Sequence, residues 1–306
     1  MQSTLEHWTL AAVESQHGFT PPYDMREAIT KIQALPPLPG TAARIVNLIS
    51  NPDADVEELV DVIEQDPLLA AQIIRWASSP LYGYRGQINS VRNAIVRVLG
   101  FNFVLDLALG LAMMESLKAP KDSVVGTRMF WIQALASTRL MPRLAAKMPV
   151  ALGFKTEEIF MAGLLHNIGF PLFGHLFAKE FGMLRQLINA NPTLSVYNLE
   201  NFVFGVNHAQ LGAWLMKAWA MPDMIADIIY HHHNPFYRGD HDALNLLVYI
   251  NDYLLGQIGI GDGANQSCSD DIWAILQLQP SVGFELLDGL QSEIDAITEM
   301  AESLIR

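Results

Sequence analysis

Four places in the second half of the chain put histidine, asparagine or aspartate on otherwise apolar stretches. They are His166-Asn167, His208, the run His231-His232-His233, and Asp252. Imidazole nitrogens and carboxylate oxygens carried on separate helices are how helical bundles assemble metal sites. Two plainer roles fit the same residues. A histidine on an apolar helix commonly satisfies its nitrogens inside the core. A histidine run beside a turn suits a helix C-terminus, where the backbone dipole favours imidazolium. The most informative stretch is MAGLLHNIG at 161–169. Phe160, Leu164 and Ile168 recur every four residues, which predicts a buried helix that Gly169 and Pro171 should stop. His166 and Asn167 then sit in its last turn. Buried without partners they would cost a few kcal/mol, so water, a metal, a ligand or other side chains must meet them.

Other chemistries find no support. The chain has no glycine-rich phosphate loop ahead of a helix, no GxSxG, no HExxH and no CxxC. Its one cysteine, Cys268, lies in NQSCSDD, where nothing would lower the thiol pKa. A lone cysteine forms no internal disulfide, which fits a reducing compartment.

The elements that must position these residues read as helices throughout. No stretch alternates with period two beyond a few residues, so the expected fold class is all-α and multi-helical. The 306 residues are 51% hydrophobic and 17% charged, which implies a large helical core. A net charge of −13 argues against binding nucleic acid through its phosphates. The N-terminus shows no basic segment followed by an apolar run, so no signal peptide is expected. The longest apolar run, 101–114, is too short to span a bilayer and carries Asp106, so it reads as a core helix. The expectation is a cytoplasmic protein with no membrane partner. In order, short helices are expected over 3–16, over 25–34 after Asp24, and over 41–50. Asp55 caps the next, Asp66 with Pro67 starts another, and Ser90 caps 91–99. LPPLPG at 35–40 reads as a rigid connector rather than an SH3 ligand. The stretch 119–123 is the best boundary, followed by a long helix over 124–148 containing Pro142. Further helices are expected over 157–168, 171–190, 195–204, 208–219, 222–232 and 242–255. A glycine-rich loop at 256–269 leads to helices over 270–277 and 281–304. Gly212 is placed to allow close approach of a neighbouring helix.

The chain resembles the HDOD domains of bacteria, a degenerate branch of the HD metal-dependent phosphohydrolase superfamily. The resemblance covers roughly residues 25–253. It rests on LPPLP, DPLLAAQIIRWASSPLYG at 66–83, INSVRNAIVRVLG at 88–100, GLLHNIG at 163–169, NHAQLGAWLMKAW at 207–219, the His232-His233 pair, and NDY at 251–253. Ser78 stands where the family usually has Asn. The resemblance implies an N-terminal extension at 1–23, a helical subdomain at 24–120, and an HD-like bundle at 121–306. In catalytic HD proteins a histidine, a His-Asp pair and a later aspartate bind the metal that activates water. The matching positions here are Gln133, His166, Asn167 and Asp252. Neutral amides therefore replace two of four metal ligands, which weakens divalent binding. His208 and His232 or His233 match positions that hold a second metal or the substrate phosphate.

The implied metal ligands are thus His166, Asp252, His208 and His232, for a divalent Fe, Mn, Ni or Zn. Gln133, Asn167 and His233 are the implied ligand-binding residues, and no catalytic residue is assigned. The implied function is a non-catalytic signalling or regulatory protein. Its partner would be a protein in a signalling pathway, with a small anionic ligand or nucleotide as a further candidate. The alternative is an HD-type phosphohydrolase acting on a nucleotide or phosphoester.

Overall fold

A computed structural model describes residues 21–305 apart from 31, 33, 34, 122, 150, 151 and 154. The expected helix at 3–16 and most of the proposed extension at 1–23 lie outside the described residues. Among the described residues there is no strand. Local sequence explains the N-terminal helices. After α1 (Arg26–Thr30) and α2 (Gly40–Ile49), Asp55 and Glu58 form a reciprocal capping box on α3 (Val56–Glu64). The Asp66 carboxylate accepts from the amides of Leu68 and Leu69 at the start of α4 (Pro67–Ala77). Ser90 caps α5 (Val91–Ala94), which does not continue as an α-helix. Residues Ile95–Leu99 form a π-helical turn closed by Gly100 N–H donating to Ile95 O at 2.8 Å. Gly100 sits at φ +84°, a conformation that only glycine adopts without strain.

α6 (Phe101–Met114) is apolar nearly all round, with every residue from Val104 to Met113 buried, and it runs through the core. It packs on α8 (Thr156–Leu165), and α8 packs on α7 (Thr127–Ala145), which carries Pro142 near its end. The buried core is continuous across both halves of the chain. Phe103 meets Phe160 edge-on with centroids 4.5 Å apart. Trp219 Nε1–H donates to Pro36 O at 2.8 Å, so the proline-rich connector is tied to the second half.

Gly169 does not end the chain's helical path but begins α9 (Gly169–Leu176), with Pro171 in its first turn, where a missing N–H is harmless. The stretch Thr156–Leu176 is long and apolar enough to cross a bilayer, yet it is broken at 166–168 and its most apolar 18-residue window is 89% buried inside the protein. α10 (Ala178–Ala190) and α11 (Val196–Phe204) lead to α12 (His208–Ala218), α13 (Asp223–His231) and α14 (Asp242–Gln257). After α15 (Asp270–Ile275), the expected helix over 281–304 is two helices, α16 (Pro280–Gln291) and α17 (Ile294–Leu304). Glu293 in the break bonds Arg139 at 2.9 Å and also meets Arg143, so the break seats the C-terminal pair on α7.

Candidate functional site

Glycines set the distances in the site. A Cβ on Gly169 would lie 1.8 Å from the His208 carbonyl oxygen, and one on Gly212 would lie 3.1 Å from Gly169 N. The start of α9 therefore rests directly on the first turns of α12. That contact carries His166 and Asn167, at the end of α8, up to His208 at the start of α12. Asn207 caps α12 in a second reciprocal box, with Gln210. His232 and His233 follow the end of α13. Gln133 comes from the middle of α7 and Asp252 from the middle of α14.

All these residues meet in one buried polar centre. Gln133, His166, Asn167, His208, His232 and Asp252 are each at most 2% exposed, and the His233 side chain is 7% exposed. His231 stays outside, stacked on Tyr237 with centroids 3.9 Å apart.

A further residue, Asp262, joins them. It stands in the glycine-rich loop after α14 and is 4% exposed. Gly261 and Gly263 flank it. Gly261 has φ +77°, and a Cβ there would lie 2.3 Å from Gln133 Cδ. A Cβ on Gly263 would lie 2.1 Å from Asp252 O. The loop can press against α7 and α14 only because both neighbours of Asp262 lack side chains. An aspartate between two glycines, just beyond a helix that carries Asp252, was the signal for it. Glu200 on α11, also fully buried, had no such signal.

The centre has two halves. In the first, protons meet carboxylates. Gln133 Nε2–H donates to Asp252 Oδ1 at 3.0 Å and to Asp262 Oδ1 at 3.4 Å. Asn167 Nδ2–H donates to Gln133 Oε1 at 2.9 Å and to Asp262 Oδ1 at 3.0 Å. The carboxylate fixes the Asn167 amide, since the flipped form would set oxygen against oxygen. His166 Nδ1 faces the carbonyls of Ala162 and Gly163, and its Nε2 lies 3.1 Å from Asp252 Oδ1. Burial opposes a charge on His166, but the Asp252 carboxylate, with Asp262 and the Ala162 carbonyl, holds the imidazole pKa above its ordinary value. Asp252 Oδ2 and Asn167 Oδ1 are left without hydrogen bonds.

In the second half, lone pairs converge. His208 Nδ1 is 2.6 Å from Glu200 Oε2, and His232 Nδ1 is 2.7 Å from Ile229 O. Both partners are acceptors, so both Nδ1 atoms carry the proton and, in the neutral ring, both Nε2 atoms present lone pairs. Those two Nε2 atoms are 3.3 Å apart, and His233 Nε2 is 3.1 Å from His208 Nε2. Asp262 Oδ2 lies 2.9 Å from His233 Nε2 and 3.5 Å from His208 Nε2. Burial, with the other imidazoles beside it, holds His232 well below its ordinary pKa. Burial opposes a charge on His233 too, but the Asp262 carboxylate raises its pKa. Asp262 stays ionised despite burial because the histidines hold its pKa well down.

These four donors fit a metal ion. One ligand atom from each of His208, His232, His233 and Asp262 lies within 4.8 Å of every other. Zinc–nitrogen bonds of roughly 2.0–2.1 Å in a tetrahedron set the nitrogens about 3.3–3.4 Å apart, close to the separations seen. The Glu200–His208 pair is the carboxylate support that orients metal-binding imidazoles. The ligands inferred from sequence are therefore divided. His208 and His232 join the four-donor cluster with His233 and Asp262, while His166 and Asp252 pair with each other beside Gln133 and Asn167. Asp262 links the halves, Oδ1 on the amides and Oδ2 on the histidines. Cys268 takes no part, and burial pushes its thiol up to about 12.

Comparison with known proteins agrees with this architecture. Residues 35–235 match the model of the HDOD domain family. A candidate signal transduction protein from Marinobacter aquaeolei VT8 superposes with a TM-score of 0.83 at 33% identity, over 99% of this chain and 66% of that one. An HDOD domain protein of unknown function from Geobacter sulfurreducens has the same fold, with a TM-score of 0.71 at 24% identity over 91% and 96% of the two chains. An uncharacterised protein of Treponema pallidum (strain Nichols) is 26% identical over 206 residues, 67% of this chain. This chain spans 38% of that relative's length.

Proposed function

Because the chain belongs to the HDOD domain family, we propose that it is a non-catalytic signalling module acting by binding a protein or a small ligand. In this reading its HD-like core holds one divalent metal, Fe, Mn, Ni or Zn, on His208, His232, His233 and Asp262. When bound, that metal supplies a cross-link between α12, α13 and the loop after α14. His166, Asp252, Gln133 and Asn167 form the polar wall beside it. The candidate signal transduction protein from Marinobacter aquaeolei supports the signalling part of the reading.

One observation carries the non-catalytic part: the candidate ligands number four, and the least enclosed of them, His233, has 7% of its side chain exposed. Closed four-ligand sites are structural, whereas catalytic sites keep a position open for water or substrate. His208 and His232 are fully buried and Asp262 is 4% exposed, so a phosphoester has no free approach to a water held there. The amides of Gln133 and Asn167 direct protons at the carboxylates where a second, catalytic metal would need lone pairs. The test is turnover. Protein loaded separately with Mn, Fe, Ni and Zn is incubated with bis(p-nitrophenyl) phosphate and with nucleoside triphosphates. The expected rate equals that of His208→Ala under the same loading. Turnover that His208→Ala abolishes would establish the phosphohydrolase instead.

A further inference from the structure

Away from the histidine centre, a cleft of about 450 Å³ opens where α2 and α6 face α8 and α13. Phe101, Leu105, Met161 and Met224 give it apolar walls. Asp106 also lines it and is 2% exposed, with Oδ2 buried and bonded to nothing. Glu157 and Glu158 stand at the rim, where Glu158 pairs with Lys155 at 3.0 Å. Burial, reinforced by Glu157, pushes the Asp106 carboxyl well above the usual range. A buried acid without a partner is costly, and an apolar side chain at this position of α6 would remove that cost. Among the described residues no side chain bonds Asp106 Oδ2, and the histidine centre does not touch it. What remains is a carboxyl held at a cleft whose size suits a small-molecule group.

We propose that this cleft binds a ligand carrying an ammonium or guanidinium group on an apolar stem, with the cation against Asp106 and the stem along Phe101, Leu105, Met161 and Met224. With Glu158 paired to Lys155, Glu157 leaves the rim net negative, which repels anions, and the chain's net charge of −13 steers cations toward it. A cation arriving at Asp106 restores the carboxylate and gives Oδ2 the partner it lacks. The cleft lies between the N-terminal helices and the HD-like bundle, so its occupant touches both. The proposal is independent of the metal.

The same chemistry could come from a free organic cation or from an arginine on a partner protein, and calorimetric titration separates them. The probes are hexylguanidine, hexanol as its uncharged control, and the capped peptide acetyl-Leu-Ala-Arg-Ala-Leu-amide. They are titrated into the wild-type chain, Asp106→Asn and Glu157→Gln. We expect hexylguanidine or the peptide to bind the wild type at least tenfold more tightly than Asp106→Asn, with Glu157→Gln between them and hexanol weaker. Binding of hexylguanidine assigns a free cation, and binding of the peptide alone assigns a partner's arginine. Asp106→Asn keeps the side-chain shape, and its melting temperature, expected at or above wild type, certifies its fold. Binding by neither probe, or equal binding by Asp106→Asn, overturns the proposal.

Discussion

The two halves of the buried centre hold the same kinds of atoms and solve the same problem in opposite ways. Around Gln133, His166, Asn167 and Asp252, amide and imidazole protons face carboxylates, so positive charge is already in place. Around His208, His232, His233 and Asp262, two Nδ1 protons are directed outward to Glu200 and Ile229, and the Nε2 atoms of the neutral His208 and His232 rings face one another at 3.3 Å. The first arrangement is a hydrogen-bonded core in which only Asp252 Oδ2 and Asn167 Oδ1 are left over. The second, in the reading proposed above, is completed by a cation. Two residues on one side, Gln133 and Asn167, carry that difference, because each offers an amide where the resemblance implies a histidine or a carboxylate.

The largest effect should come from breaking the second half. His232→Ala or Asp262→Ala leaves buried charge or lone pairs uncompensated, and each should cost about 3–5 kcal/mol in urea unfolding. Each should also remove bound metal. Rebuilding the first half is the complementary change. Gln133→His with Asn167→Asp exchanges amide protons for lone pairs beside His166 and Asp252, and metal content should rise by about one further ion per chain. If content does not rise, the amides are not what distinguishes the halves. Next comes the loop that joins them. Gly263→Ala sets a Cβ against Asp252 O, so it should displace Asp262 and cost about 1–3 kcal/mol together with weaker metal retention.

A smaller effect concerns Asp106, an acid with neither half's remedy. Its folded pKa is raised, so between the unfolded value near about 3.9 and that higher value the folded state binds more protons. Its contribution to stability therefore falls as pH rises through that window. The charged groups at its cleft are Glu157 and Glu158, with Lys155 paired to the latter. Asp106→Asn should raise the melting temperature by a few degrees at pH 8 and by less at pH 4. The smallest effect is expected at Arg92–Glu57, an exposed pair, where Arg92→Ala should change stability by less than about 1 kcal/mol.

Much of the fold was legible because its signals are local. Asp55, Asp66 and Ser90 act within three residues of themselves, and each caps the helix it was expected to cap. Gly212 marked a close helix contact, and its neighbour proved to be Gly169. Breaks that depend on tertiary contacts were not legible. The π turn at Ile95–Leu99 and the split at 292–293 sit inside good helical patterns, and the restart at Gly169 looked like a stop. The histidines could be read from their apolar surroundings. Asp262 was marked only by its two flanking glycines, because its role exists only when the loop folds back over α7 and α14. Glu200 carries no signal in the sequence, because its role exists only where α11 lies against His208.

The most direct test is metal content resolved by half. The chain is expressed without a chelating tag, supplied with Fe, Mn, Ni and Zn, and weighed by native mass spectrometry beside His166→Ala and His232→Ala. The account predicts about one ion per wild-type chain, retained in His166→Ala and lost in His232→Ala. A wild-type chain without metal, or an ion that His166→Ala removes and His232→Ala keeps, would contradict it.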